Sequence, residues 1–296
     1  MGETGAFFLD PVLLAIPFFG ITMLLEHLIL RKHGKPAYVL RDSAGNIGMG
    51  LGFLVIDAAF KVGLIAWFQW LYSHRLFDLP HTVWVYALLV IAEDFALYAS
   101  HRAGHEIRIL WCGHHNHHSS PGYNLSTALR QSWTELLPSP IFWGFLPLLG
   151  FPVEWILIQM SVNLLYQYLM HTRYFKDFGP LGWVLNTPAF HRVHHGKNPM
   201  FLDRNYAGIF IIWDRLFGTF QAETEEPDYG VSTPVGSDNP LKIAFHEHKR
   251  LWRELRETPG WWDRLGLIVR APGWRPDGSG ETAAVLRARA LAKRTG

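Results

Sequence analysis

The strongest restriction on how this chain can fold is a set of five apolar stretches, at residues 7–30, about 46–72, 83–99, about 138–150 and about 152–170. A helix needs about 20 predominantly apolar residues to cross a bilayer. Lipid also tolerates only segments that satisfy their backbone N–H and C=O groups internally. The first three stretches meet that length as helices, although the first holds Asp10 and Glu26 near its ends and the third holds Glu93 and Asp94. In the second, Asp57 and Lys61 stand one helical turn apart and can pair. Gly150 and Pro152 divide the last two stretches. The fourth is too short for a comfortable span, so these two read as a re-entrant hairpin or two tilted helices.

Loop charge orients the spans. Arg31, Lys32, Lys35 and Arg41 lie between the first two stretches, whereas residues 73–81 hold only Arg75. Basic loops stay in the cytoplasm. The third span then returns to that side near His101, the hairpin returns near His171, and everything after it is cytoplasmic. The expected fold is all-α: polytopic transmembrane helices, about four to five apolar segments, with a His-rich helical cap on the cytoplasmic face. Residues 1–100 would be N-terminal transmembrane helices and residues 101–220 a di-metal catalytic region containing a membrane hairpin at 138–170. Residues 221–296 would form a cytoplasmic or interfacial tail, with an amphipathic helix over 241–257 ended by Pro259 and Gly260. Trp261, Trp262 and Trp274 read as interfacial anchors, and the basic end, Arg287 to Arg294, suits an anionic surface.

Composition agrees with a membrane protein that has a sizeable polar part. The chain is 49% hydrophobic and 18% charged, against about a quarter charged in soluble proteins. A net charge of +2 speaks against a nucleic-acid partner, and the single cysteine, Cys112, excludes a disulfide framework or a multi-Cys metal site. The N-terminus has no basic n-region or small-residue cleavage site, so its apolar stretch is expected to be retained.

Ten of the sixteen histidines fall between positions 101 and 195. The first cluster is HRAGH, from His101 to His105. The second is HHNHH, holding His114, His115, His117 and His118, and the third is HRVHH, holding His191, His194 and His195. His171 stands alone where the fifth stretch ends. Positions i and i+3 or i+4 share a helix face, and the adjacent pairs can reach toward two ions. One such pair is usually only a packed or surface feature. Three clusters gathered at one membrane face imply a metal, and more imidazoles than one ion can coordinate imply two. Imidazole suits iron, zinc, copper and nickel. A site at the ends of membrane helices is placed to meet an acyl chain, and oxidising an unactivated C–H bond needs O2 and a redox metal, which favours iron. His105 and Glu106 begin like a zinc-protease helix, but Ile109 replaces the second histidine of that motif.

These motifs resemble the fatty acid hydroxylase/sterol desaturase superfamily, with its HxxxH, HxxHH and HxxHH boxes between membrane spans. Within it they look most like the alkylglycerol monooxygenase subfamily. The resemblance runs from Glu93 to about Glu247 through YNLSTALRQ from Tyr123, NLLYQ from Asn163, LNTP from Leu185, NYAG from Asn205 and WDRLFGTF from Trp213. It implies an O2-dependent enzyme with a lipid substrate, an electron donor and two iron ions, with zinc able to replace iron in a purified sample. The ligands it implies are His101, His105, His114, His117, His118, His171, His191, His194 and His195, with Glu106 as an acid beside the first box and His115 as an extra ring. Tetrahydropterin is the donor the subfamily implies; no pterin pocket is visible in the residues. Phe190 stands where that subfamily carries a further histidine.

Glu93 and Asp94 read either as partners orienting ligand rings or as a polar pair bonded to Asn163 or Gln167. Asn124, Ser126, Thr127, Arg130 and Gln131 line a site or cap a helix, and Asn205 and Asp214 fix the polar region. The expectation is therefore an integral-membrane, lipid-oxidising enzyme of a bacterial inner membrane or the endoplasmic reticulum. It could hydroxylate an ether lipid, or hydroxylate or desaturate a sterol, carotenoid or aminolipid. A zinc hydrolase and a non-catalytic metal-binding protein are the rivals. A tag placed after Gly296 should be reachable only from the cytoplasm; labelling it from the opposite side of the membrane would overturn this topology.

Overall fold

The computed structural model describes residues 10–35 and 38–295. The start of the first apolar stretch, up to residue 9, and Gly296 lie outside the described residues. Helices α1 (Pro11–Leu14), α2 (Ile16–Lys32), α3 (Leu40–Ser73) and α4 (Val83–Glu106) are followed by α5 (Arg108–His118). Two short helices, α6 (Ser139–Phe142) and α7 (Phe145–Leu149), precede α8 (Val153–Met170), α9 (Pro188–His194) and α10 (Ile212–Leu216). The chain ends with α11 (Pro240–Glu257), α12 (Trp261–Val269) and α13 (Ala283–Thr295). Among the described residues there is no strand, only isolated bridges of Leu185 with Phe210 and Gly196 with Tyr229.

Two helices, α3 and α4, are long and apolar enough to cross a membrane. Their apolar residues run all the way round, as in a helix surrounded by lipid or core. Leu51, Val55 and Val62 of α3 and Leu88 and Ile91 of α4 face outward. Phe68 and Leu71 of α3, Leu89 of α4 and Ile156 of α8 pack inward on Leu146 of α7. The fourth apolar stretch is the broken pair α6–α7. Gly150 ends it at φ +99, where a Cβ would strike the Phe77 carbonyl at 2.1 Å.

Asp10, Glu26, Asp57, Glu93 and Asp94 are each partnered. Lys61 binds Asp57 at 2.6 Å and also Asp10, which accepts from Ser161 of α8 at 3.0 Å. Glu26 accepts from the Tyr38 hydroxyl, the Leu125 amide and the Thr172 hydroxyl. Glu93 and Asp94 follow the polar-pair reading: Asn163 donates to both, at 2.9 and 3.0 Å, and neither bonds a histidine. Asp94 also accepts the amides of Ile209 and Phe210 and the indole N–H of Trp213.

At 34 residues, α3 is about 50 Å long, well beyond a hydrocarbon core of about 30 Å. Its first turns use the excess to bind Arg130, which is 1% exposed. Arg130 donates to Asp42 and Asn46 of α3, and to the Asn116 carbonyl and Ser119 hydroxyl at the end of α5. The polar run after the second box is thus a brace. Its cap is Asn124, which forms a capping box with Thr127 over the 3₁₀ helix Leu125–Leu129.

Helix α11 is the expected amphipathic helix, capped by Asn239, with Ile243, Ala244 and Leu251 buried. Trp261 and Trp262 are exposed and stacked on each other. Trp274 differs from the expectation of an interfacial anchor. Its ring packs with Cys112, Leu251 and Leu267, in space left by Gly266, under the Arg270 guanidinium.

Replacing Arg130 by Leu leaves Asp42 buried without its cation, a change that costs about 3–5 kcal/mol. Thermal unfolding in detergent should show a large drop in melting temperature; an unchanged melt would contradict the brace.

Candidate metal centre

Nine buried imidazoles meet where α4, α5, α8 and α9 end, and they divide into two groups. His101, His105, His114, His118 and His194 form one, and His117, His171, His191 and His195 form the other. Within each group the ring nitrogens lie within 4.8 Å of one another. The chain builds this from helix periodicity. His101 and His105 occupy the last turns of α4, and His114 and His118 share one face of α5. The adjacent pairs separate, His117 from His118 and His194 from His195, one ring to each group. Thr187 caps α9 and Pro188 starts it, setting the third box against His171 at the end of α8.

Hydrogen bonds assign the tautomers, and the tautomers call for a cation. His101 donates from Nδ1 to the Tyr206 carbonyl at 2.7 Å, and His194 donates from Nδ1 to the Arg204 carbonyl at 3.0 Å. His114 donates from Nδ1 to Glu135 at 2.6 Å, and His171 donates from Nδ1 to the Gln167 carbonyl at 2.8 Å. A neutral ring that donates from Nδ1 carries its lone pair on Nε2. Yet Nε2 of His101 and Nε2 of His114 face each other at 3.0 Å. Nε2 of His171 likewise meets Nε2 of His117, His191 and His195 at 3.0–3.1 Å. Nε2 of His105 and His194 are buried without a partner among the described residues. Converging lone pairs repel unless they share a cation, so the five-ring donor set calls for a metal, and the four rings converging with His171 offer a second donor set that fits one.

The larger group offers more nitrogens than a tetrahedral ion takes.

Acids beyond the rings complete the charge. Glu135 is a ring partner without a sequence signal: it lies beyond the second box in no motif. Burial would raise its carboxyl, but the His114 ring beside it and the hydrogen bond from that ring hold it below its ordinary value. His105 Nδ1 stands 3.3 Å from Asp203, whose carboxyl burial pushes up to about 7. Burial and mutual repulsion hold His117, His118, His191, His194 and His195 far below the ordinary imidazole value. Burial pulls His171 down to about 4.

Two expected neighbours stand apart. His115 belongs to neither group; it is buried and stacks on His246. Glu106 is also outside both groups. Its carboxylate accepts from Arg102 at 2.9 Å, is 43% exposed, and faces the side of Asp203. Asn205 and Asp214 fix the polar region as expected: Asp214 accepts the amides of Tyr206 and Ala207, and Asn205 ties Phe190 to Gln221.

A cavity of about 430 Å³ opens against the rings. His101, His114, His117, His171, Gln131 and Glu135 form its polar end, and apolar side chains of α2, α3, α4 and α8, such as Phe19, Leu54 and Leu165, line the rest. Such a volume is large enough for one alkyl chain.

The fold and site are those of an all-helical bundle with histidine-boxed helix ends around an apolar cavity. The fatty acid hydroxylase family model matches residues 86–219 of the chain. It is 41% identical to human alkylglycerol monooxygenase over 90% of its own length and 60% of the relative's. Against the zebrafish (Danio rerio) alkylglycerol monooxygenase the figures are 40%, 88% and 59%. An ornithine lipid hydroxylase of Rhizobium tropici is 36% identical over 53% of this chain and 46% of its own. The chain thus spans about 60% of the length of these monooxygenases. No solved structure matches it.

His117, His118, His171, His191, His194 and His195 set a pH dependence. Their folded values lie below the unfolded value of about 6.5, so their contribution to stability is complete above about 6.5 and is lost as pH falls. The loss runs toward the His171 value of about 4. Melting temperatures of the chelator-stripped protein should fall steadily between pH 6.5 and 4.5; a flat profile would contradict the burial of neutral rings.

Proposed function

We propose that this chain is an integral-membrane di-iron oxidoreductase that uses O2 to hydroxylate a lipid C–H bond. The observation that carries the reading is the pair of histidine groups, five rings and four, at the polar end of an apolar cavity. His101, His105, His114, His118 and His194 would hold one ion, and His117, His171, His191 and His195 the other. Iron bound there supplies the redox capacity that an unactivated C–H bond demands. The cavity walls bind and align the alkyl chain, excluding water and bringing one carbon to the rings. Gln131 and Glu135 face the same end and can orient a polar group, while Glu106, at the exposed rim beside His105, is the candidate acid for exchanging protons with solvent.

Likeness to alkylglycerol monooxygenases favours an ether lipid. Hydroxylation of the carbon beside the ether oxygen gives a hemiacetal, which collapses to an aldehyde and an alcohol. Inserting one oxygen atom and reducing the other to water takes two electrons from a donor, for which the subfamily resemblance implies tetrahydropterin. Likeness to the ornithine lipid hydroxylase supports a second reading, in which an aminolipid chain is hydroxylated and stays intact. In both readings four to five apolar segments would enter the membrane, and the basic loop after α2 supports rings on the cytoplasmic side. A zinc hydrolase is disfavoured, since the larger group offers five ring nitrogens and a tetrahedral zinc takes four.

Elemental analysis of the purified protein, with lipid profiling of cells expressing it or His194→Ala, tests the proposal. We expect two iron ions per chain and a lipid shift that His194→Ala abolishes. Zinc with O2-independent turnover, or no metal and no lipid change, would refute it.

A further inference from the structure

The two ring groups are held in different ways. We propose that residues 203–206 are the positioning element of the five-ring site, and that this gives the two sites unequal metal affinity; the inference rests on the metal reading above. Three of the five rings donate Nδ1 to acceptors from these four consecutive residues. His105 meets the Asp203 carboxylate, His194 the Arg204 carbonyl and His101 the Tyr206 carbonyl. Those rings come from two helices far apart in sequence, α4 and α9, so one short segment sets the orientation of both.

Presenting a carboxylate and two carbonyls to one cluster takes irregular backbone. Asp203 and Asn205 sit at φ +52 and +56, the non-glycine residues in the left-handed region among those described. Asp and Asn tolerate that region better than other side chains, and the surroundings hold it in place. The Asn205 amide donates to the carbonyls of Phe190 and Gln221 and accepts from the Gln221 amide. Asp214 holds the amides of Tyr206 and Ala207, and Asp94, on the same helix as His101 and His105, holds those of Ile209 and Phe210. Buried carboxylates on two helices therefore fasten the segment and the residues just beyond it.

The four-ring group has no such clamp. His171 donates to the Gln167 carbonyl of its own helix, while Nδ1 of His117 and Nδ1 of His191 meet no partner among the described residues. An acceptor on the distal nitrogen fixes a ring's orientation and raises its basicity, and losing one costs about 10–100-fold in metal affinity. The five-ring ion is accordingly the tighter, and the four-ring ion leaves first.

The test is a chelator titration of the holoprotein in detergent, following metal per chain by elemental analysis. The wild type should lose its two ions in separate phases, and His191→Ala should remove the weaker phase and so identify it. Asp203→Gly keeps the left-handed backbone but removes the carboxylate; it should weaken the tighter phase by about ten-fold or more and leave the weaker one unmoved. Asp203→Asn, which keeps a side-chain oxygen, should restore it, and Asn205→Ala should give the same selective weakening by straining the segment. If Asp203→Gly and Asn205→Ala move neither phase, or move both equally, the positioning role is overturned while the metal centre stands. A wild-type protein that binds fewer than two ions overturns the centre and this inference together.

Discussion

Everything in this structure is arranged around the convergence of nine buried imidazoles. Most rings so placed cannot protonate without burying unpaired charge, and Nε2 lone pairs such as those of His101 and His114 cannot approach to 3.0 Å without a shared cation. Four helix ends must therefore arrive at one place with defined rotation. Periodicity supplies the rotation: rings at i and i+4 on α4 and α5, and neighbouring rings at two positions that divide between the groups.

A bundle with few internal polar contacts would not hold that geometry, because apolar packing leaves rotation and sliding weakly specified. Polar anchors at the margins supply the specification. Arg130 locks the start of α3 to the end of α5, Glu26 ties α2 to the residue after His171, and Asp94 and Asp214 fix the segment that faces the rings. Each is buried, so each is specific in direction and costly to lose. The same apolar walls that need these anchors enclose a cavity ending at the rings, which joins the fold to the proposed chemistry.

Much of this was legible in the sequence, since helix period and apolar length are local properties. The spacing of the histidines was enough to bring His101, His105, His114 and His118 onto faces that meet, and Asp57 and Lys61 into a pair. The partners of the rings were not legible, because they come from sequence-distant loops: Glu135 and Asp203 stand in no motif, and the carbonyls of Arg204 and Tyr206 have no side-chain signature. Trp274 misled for a related reason. A tryptophan beside basic residues reads as an interfacial anchor, whereas the space opened by Gly266 draws it into the packing around Cys112. Of the apolar stretches, two form helices that are long and apolar enough to cross a membrane. The fourth breaks at Gly144, where a Cβ would strike the Pro140 carbonyl at 2.4 Å.

The most direct measurement of the central claim is an anomalous difference map of the crystallised holoprotein, recorded on either side of the iron absorption edge. The account predicts two iron peaks, one among His101, His105, His114, His118 and His194, the other among His117, His171, His191 and His195. A single peak, peaks outside these groups, or signal only at the zinc edge would contradict it.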